Sequence, residues 1–167
     1  MLHEMTITAL TIDPKSQTPV IILRPRNGNE EELMIWIGVL EATSIVYALQ
    51  DINFERPLTH DLFKNFLEKT FYKVSKVEIS DLKENTFFAK IFFTLDEKET
   101  YMDARPSDAI AMAVRFNAPI YASEEVLANA GAGGTESIEV ADDSEQGKKW
   151  AEYLKNLSQE DFGKYKV

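Results

Sequence analysis

Thr100-Tyr-Met-Asp-Ala-Arg105-Pro-Ser-Asp-Ala-Ile110-Ala-Met-Ala-Val-Arg115-Phe-Asn-Ala-Pro-Ile120-Tyr121 holds a strand end, a polar corner, a helix and the start of a second strand. Pro106 lacks an amide N–H and disfavours helical geometry at Arg105, so the helix is expected immediately after it, with Ser107 as N-cap and the Asp108 carboxylate at the positive end of the helix dipole. Capping accounts for Ser107 and Asp108. It does not account for Asp103 and Arg105, which lie two apart on an extended segment and therefore point to the same side. A plain ion pair, or a site offering one cation and one or two carboxylates to a common point, fits this corner. The helix itself, Ala109-Ile-Ala-Met-Ala-Val114, is apolar on nearly every side and is expected to be central, because small residues allow close approach on both faces.

Working outward, Val74, Val77 and Ile79 mark one strand and Thr86 to Leu95 a second, with turns expected over Asp81 to Asn85 and over Asp96 to Glu99. With Thr100 to Asp103 they make a three-stranded meander that delivers Asp103 to the corner. Upstream, Met5 to Ile12 alternates as a half-buried strand, and Pro19 to Leu23 and Leu33 to Ile37 read as an antiparallel hairpin across Arg24-Pro-Arg-Asn-Gly-Asn29. Gly38 opens a helix with Glu41 in its first turn. A second Arg-Pro corner, Arg56-Pro-Leu-Thr-His60-Asp-Leu62, repeats the later logic, with Thr59 as the N-cap candidate and His60 and Asp61 in the first turn. The two corners are candidates for two walls of one site.

Downstream, Ile120-Tyr121 is a short strand, and Ser123 caps a helix through Leu127. Ala130-Gly-Ala-Gly-Gly134 lacks the Gly-Lys-Ser/Thr ending of a phosphate loop and reads as a flexible linker. The expected organisation is a domain over 1–129, a Gly-rich acidic linker over 130–143, and a helix and tail over 144–167, with Trp150, Tyr153, Leu154 and Leu157 at helical spacing. The fold class is α+β: a single domain with a mixed, largely antiparallel sheet and packed helices, plus a C-terminal helical tail.

A chain of 167 residues with 44% hydrophobic and 28% charged residues suits one buried core. The absence of cysteine excludes disulfides, thiolate catalysis and cysteine-ligated zinc. The N-terminus has no basic stretch before an apolar run, and no apolar run is long enough to cross a bilayer, so a cytoplasmic protein without a membrane partner is expected. The net charge of −10 opposes approach to nucleic acid. It is concentrated between Phe116 and Gly147, where Glu124, Glu125, Glu136, Glu139, Asp142, Asp143 and Glu145 meet no Lys or Arg. Elsewhere Arg24, Arg26, Arg56, Arg105 and Arg115 leave room for a locally basic groove. The apolar helix and the aromatic strand residues Phe87, Phe88, Phe92 and Phe93 exceed what one small body needs, which points to a homodimer.

Only His3 and His60 are available as imidazoles. His60 reads either as a base or metal ligand, or as a histidine hydrogen-bonded at a corner. Glu41, Asp61, Asp103 and Asp108, with His60, are oxygen and nitrogen donors of the kind that suits Mg²⁺ or Mn²⁺.

Ile35-Trp36-Ile37-Gly38 with Glu41-Ala42, then Arg56 to Leu62, then Asp103 to Ala111, then Ala118-Pro119-Ile120 together resemble the bifunctional nuclease domain family over roughly Met5 to Leu127. That resemblance implies hydrolysis of phosphodiester bonds in RNA and DNA, as in plant members. The matched polar residues Glu41, Arg56, Thr59, His60, Asp61, Asp103, Arg105, Ser107 and Asp108 are then the candidate site. His60, Asp61, Asp103 and Asp108 are the catalytic candidates, and Glu41, Asp61, Asp103 and Asp108 the metal candidates. Arg56 and Arg105, with Thr59 and Ser107, would bind substrate. The alternative is a non-enzymatic, oligomeric regulatory module in which the Arg-Pro corners bind a small anion or a partner's carboxylate.

Overall fold

Two meanders and one short linking strand account for the sheet in the computed structural model, which describes residues 1–28 and 31–132. The first meander is β1 (Leu2–Ile12), β2 (Pro19–Pro25) and β3 (Leu33–Trp36). After it come α1 (Val39–Leu49) and α2 (Thr59–Lys69). The second meander is β4 (Lys73–Lys83), β5 (Thr86–Leu95) and β6 (Lys98–Ala104), followed by α3 (Pro106–Phe116), β7 (Ile120–Ser123) and α4 (Glu124–Ala132). Strand order is β3-β2-β1-β7-β4-β5-β6. β7 pairs antiparallel with β1, Met5 opposite Ile120, and parallel with β4, Val77 opposite Ile120, so the sheet is mixed but largely antiparallel, an α+β fold.

Strands of the second meander run further than their sequence suggests, because each turn needs only two residues. Lys83 pairs with Thr86 around Glu84 and Asn85 (φ 46° and 59°), and Leu95 pairs with Lys98 around Asp96 and Glu97 (φ 47° and 64°). Two successive positive φ values match the right-handed twist of the flanking strands. Glutamate tolerates that geometry poorly. Glu97→Gly is therefore expected to raise stability by about 0.5–1 kcal/mol, read as a higher urea midpoint at unchanged m-value.

Helix starts differ from expectation by one or two residues. The N-cap of α3 is Arg105 (φ −66°, ψ 146°) and Pro106 is its first residue, where a missing N–H costs nothing. Ser107 is thus inside the first turn and buried, not the cap. Likewise Leu58 caps α2 and Thr59 is its first residue; the Leu58 N–H donates instead to Asp61 Oδ2 at 3.1 Å. Ser123 does cap α4, accepting from the Val126 N–H at 3.2 Å. α4 continues beyond Leu127 to Ala132, through the start of the expected linker. The rest of that linker and the expected helix and tail over 144–167 lie outside the described residues.

α3 is the centre of the core. Ala109, Ile110, Ala111, Met112 and Ala113 are all buried, with α1 and α2 beside the helix and β4 and β5 beneath it. At its end Asn117 takes the left-handed conformation (φ 51°, ψ 38°) and the Ala118 N–H donates to Ala113 O at 2.9 Å, so the chain reverses into β7. The apolar helix is therefore covered within one subunit, whereas Phe88, from the same expected homodimer surface, stays exposed. Phe93 is buried, while Lys76 lies over the Phe92 ring, 4.2 Å from its centroid. Large apolar side chains stay exposed elsewhere, at Leu62, Phe66 and Phe71. Among the described residues no helix is long and apolar enough to cross a membrane.

Candidate functional site

The first turns of α1, α2 and α3 contribute Glu41, His60 and Asp108 to one corner, since each helix starts on the same side of the core. Asp108 is its hub. Oδ1 is hydrogen-bonded with His60 Nε2 at 3.0 Å, and the Arg105 guanidinium donates through Nε to Oδ2 (2.7 Å) and through Nη2 to Oδ1 (3.1 Å). Arg105 also pairs with Glu41 Oε1 at 3.0 Å. Glu41 folds back over Gly38, where a Cβ would collide with its Oε2, so a glycine at this cap leaves room for the carboxylate.

On its other side the imidazole reaches Ser44, with Nδ1 2.8 Å from Oγ. Ser44 in turn meets Arg115, whose Nη2 donates to Ser44 Oγ at 3.0 Å and to Ser44 O at 3.2 Å. Arg115 Nε donates to Asp61 Oδ1 at 2.6 Å and Nη1 to Ala111 O at 3.1 Å. One chain of hydrogen bonds thus runs from Asp61 through Arg115, Ser44, His60 and Asp108 to Arg105 and Glu41. It is buried at the Arg115 end, whose side chain is 5% exposed, and open at Arg105, which is 60% exposed.

The His60 hydrogen bond above all, with burial opposing and Arg105 adding to it, holds the Asp108 carboxyl at about 2 instead of 3.8. The group is 28% exposed, so most of this is felt by the fold. A carboxyl more acidic in the folded than in the unfolded chain contributes stability that is complete above pH 4 and is lost as pH falls toward 2. That contribution is about 2 kcal/mol. Urea unfolding at pH 5 and pH 2.5 should show about two thirds of it, and Asp108→Asn should remove that part of the difference.

Residues 21–133 match the profile of the bifunctional nuclease domain. The chain belongs to the bifunctional nuclease domain family. An uncharacterized protein of Mycobacterium tuberculosis is 35% identical over 96% of this chain and 98% of its own length. "Bifunctional nuclease 2" of Oryza sativa subsp. japonica is 31% identical over 65% of this chain but only 34% of its own length. "Bifunctional nuclease 1" of Arabidopsis thaliana is 31% identical over 61% of this chain and 32% of its own length.

Within this bifunctional nuclease domain the two Arg-Pro corners do meet, through the His60–Asp108 hydrogen bond between residues 48 apart in sequence. Glu41, His60, Asp61, Arg105 and Asp108 all belong to the network. Among the described residues no hydrogen bond or ion pair joins the side chains of Arg56, Thr59, Asp103 or Ser107 to it. Arg56 and Thr59 are exposed, and Asp103 is exposed on β6, opposite Lys90. Arg105 pairs with Asp108 and Glu41, not with Asp103, because it already belongs to the cap of α3 and its side chain follows the helix. Nor do the carboxylates gather: among the described residues no group of three or more His, Asp or Glu could hold a metal ion. Ser44 and the inward role of Arg115 have no motif to mark them. The available signal is one charged residue breaking the apolar run of α3.

Proposed function

We propose that this chain hydrolyses phosphodiester bonds in RNA and DNA at the Arg105–Asp108–His60 corner. The observation that carries the reading is an imidazole held between a carboxylate at 3.0 Å and a hydroxyl at 2.8 Å, beside an exposed guanidinium, in a bifunctional nuclease domain. Arg105 binds the scissile phosphate at the N-terminal ends of α1 and α3, whose dipoles favour an anion. The phosphate competes with Glu41 and Asp108 for the guanidinium. Freed from Arg105, Asp108 becomes a stronger base and takes a proton from the attacking water as its oxygen bonds to phosphorus. The P–O bond to the leaving sugar oxygen breaks and Asp108 returns the proton to that oxygen, while His60 Nε2–H shares the negative charge of the carboxylate before and after. Ser44 is too buried, at 8% exposure, to serve as a nucleophile toward a polymer.

Mg²⁺ or Mn²⁺ assistance is the form of this chemistry expected from the sequence, and the residues in place do not fit it. Glu41 and Asp108 already share a cation, Arg105, while Asp61 turns to Arg115 and Asp103 stands on β6. No step is assigned to a metal. A second reading, a non-enzymatic homodimeric module binding a small anion or a partner's carboxylate at Arg105, is favoured by the net charge of −10.

The deciding experiment is cleavage of labelled single-stranded RNA and duplex DNA by highly purified protein, with Mg²⁺, with Mn²⁺ and with EDTA, alongside light scattering for subunit count. Cleavage persisting in EDTA supports the corner as described. Cleavage abolished by EDTA restores a metal to the mechanism, and none under any condition leaves the binding module.

A further inference from the structure

We infer that Arg115 and Ser44 are positioning residues that hold His60 as a single tautomer, its proton on Nε2 toward Asp108 and its Nδ1 lone pair engaged by Ser44. The value of that tautomer for cleavage rests on the function proposed above; the tautomer itself does not.

Arginine carries only donors and stays charged at every working pH. Arg115 is fixed by Asp61 Oδ1 at 2.6 Å and Ala111 O at 3.1 Å, which leaves Nη2 aimed at Ser44, 3.0 Å from Oγ. The hydroxyl therefore accepts from Arg115 and directs its own hydrogen to His60 Nδ1, 2.8 Å away. At the far side Asp108, ionised and gripped by Arg105, can only accept, so it requires a proton on Nε2 at 3.0 Å. Both ends ask for the same tautomer. The other would set the Nε2 lone pair against a carboxylate and the Nδ1 proton against a hydroxyl that a cation already polarises. From Arg115 through Ser44 and His60 to Asp108 every hydrogen bond points one way, which a buried arginine serving only packing has no need to achieve.

His3→Asn leaves His60 as the sole imidazole in the full chain, so long-range proton–nitrogen spectra at pH 8 read its tautomer directly. The expected spectrum is one species with Nε2 protonated and Nδ1 a hydrogen-bonded imine nitrogen. Ser44→Ala, the smallest change available, should move Nδ1 toward the higher shift of an imine without a donor, and Ser44→Thr, which keeps the hydroxyl, should bring it back. Arg115→Lys, which keeps the charge but not the fork, should give a mixture of tautomers. An Nδ1–H form or a mixture in the parent, or an unmoved Nδ1 in Ser44→Ala, overturns the inference; the Ser44 variants decide it even if the lysine variant fails to fold.

Cleavage by Ser44→Ala should fall about tenfold and recover in Ser44→Thr. Unchanged cleavage beside a shifted Nδ1 overturns the positioning role and spares the nuclease reading. A parent that cleaves nothing overturns the nuclease reading and spares the tautomer.

Discussion

His60→Ala is expected to lower phosphodiester cleavage by about 10²–10⁴-fold, the range lost when a positioned acid–base group is removed. The imidazole is the only group of the corner bonded both to the half-buried Asp108 carboxylate and to the buried hydroxyl, so its removal separates Asp108 from Ser44 and Arg115. Asp108→Asn should produce a loss of the same order by a different route: the side chain keeps its size but loses the charge that binds Arg105 and the basicity the reaction needs. Asp103→Asn, altering an exposed carboxylate on β6 outside the network, should leave cleavage within about twofold. Circular dichroism and thermal melting of each variant separate loss of function from loss of fold. If folded His60→Ala cleaves like the parent, the chemistry is not at this corner.

Arg115→Met is expected to destabilise the protein by about 3 kcal/mol, measured by urea unfolding. Methionine fills much of the same volume, so the cost is electrostatic. The carbonyls of Ser44 and Ala111 and the Ser44 hydroxyl each lose a side-chain donor, and Asp61 Oδ1 loses a 2.6 Å partner. Asp61 is 35% exposed and can turn to water, which keeps the figure below that of a fully buried pair. Removing both charges with Asp61→Asn/Arg115→Met should cost less than the sum of the two single changes, because residues in one network couple.

Several strands were legible because period-two alternation survives in them: Met5, Val77, Ile79, Ile91 and Phe93 are apolar and buried as that alternation requires. The strand order was not. Nothing in Ile120 to Ser123 says that this segment enters the middle of the sheet, since pairing with β1 and β4 is a property of the whole fold. At the corner, Pro106 announced a helix start but shifted the cap to Arg105, so Ser107 was misplaced by reasoning from hydroxyl preference alone. The meeting of His60 with Asp108 was suggested by two similar motifs. Ser44 was not suggested at all, and Arg115 only as part of a basic groove that its 5% exposure rules out, because a serine in an amphipathic helix and an arginine in a last turn each have an ordinary local explanation, and only tertiary packing brings them together.

β7 is four residues long and emerges late, yet it is the seam between the two meanders. The ribosome must therefore complete β1–β3, both following helices, all of β4–β6 and α3 before the central gap can close. Throughout that interval the edges of β1 and β4 that β7 will cover are unpaired, open to each other in the wrong register and to strands of neighbouring nascent chains. For this domain the hazard of aggregation is one of timing: it is greatest once both meanders and α3 are made and the seam is not.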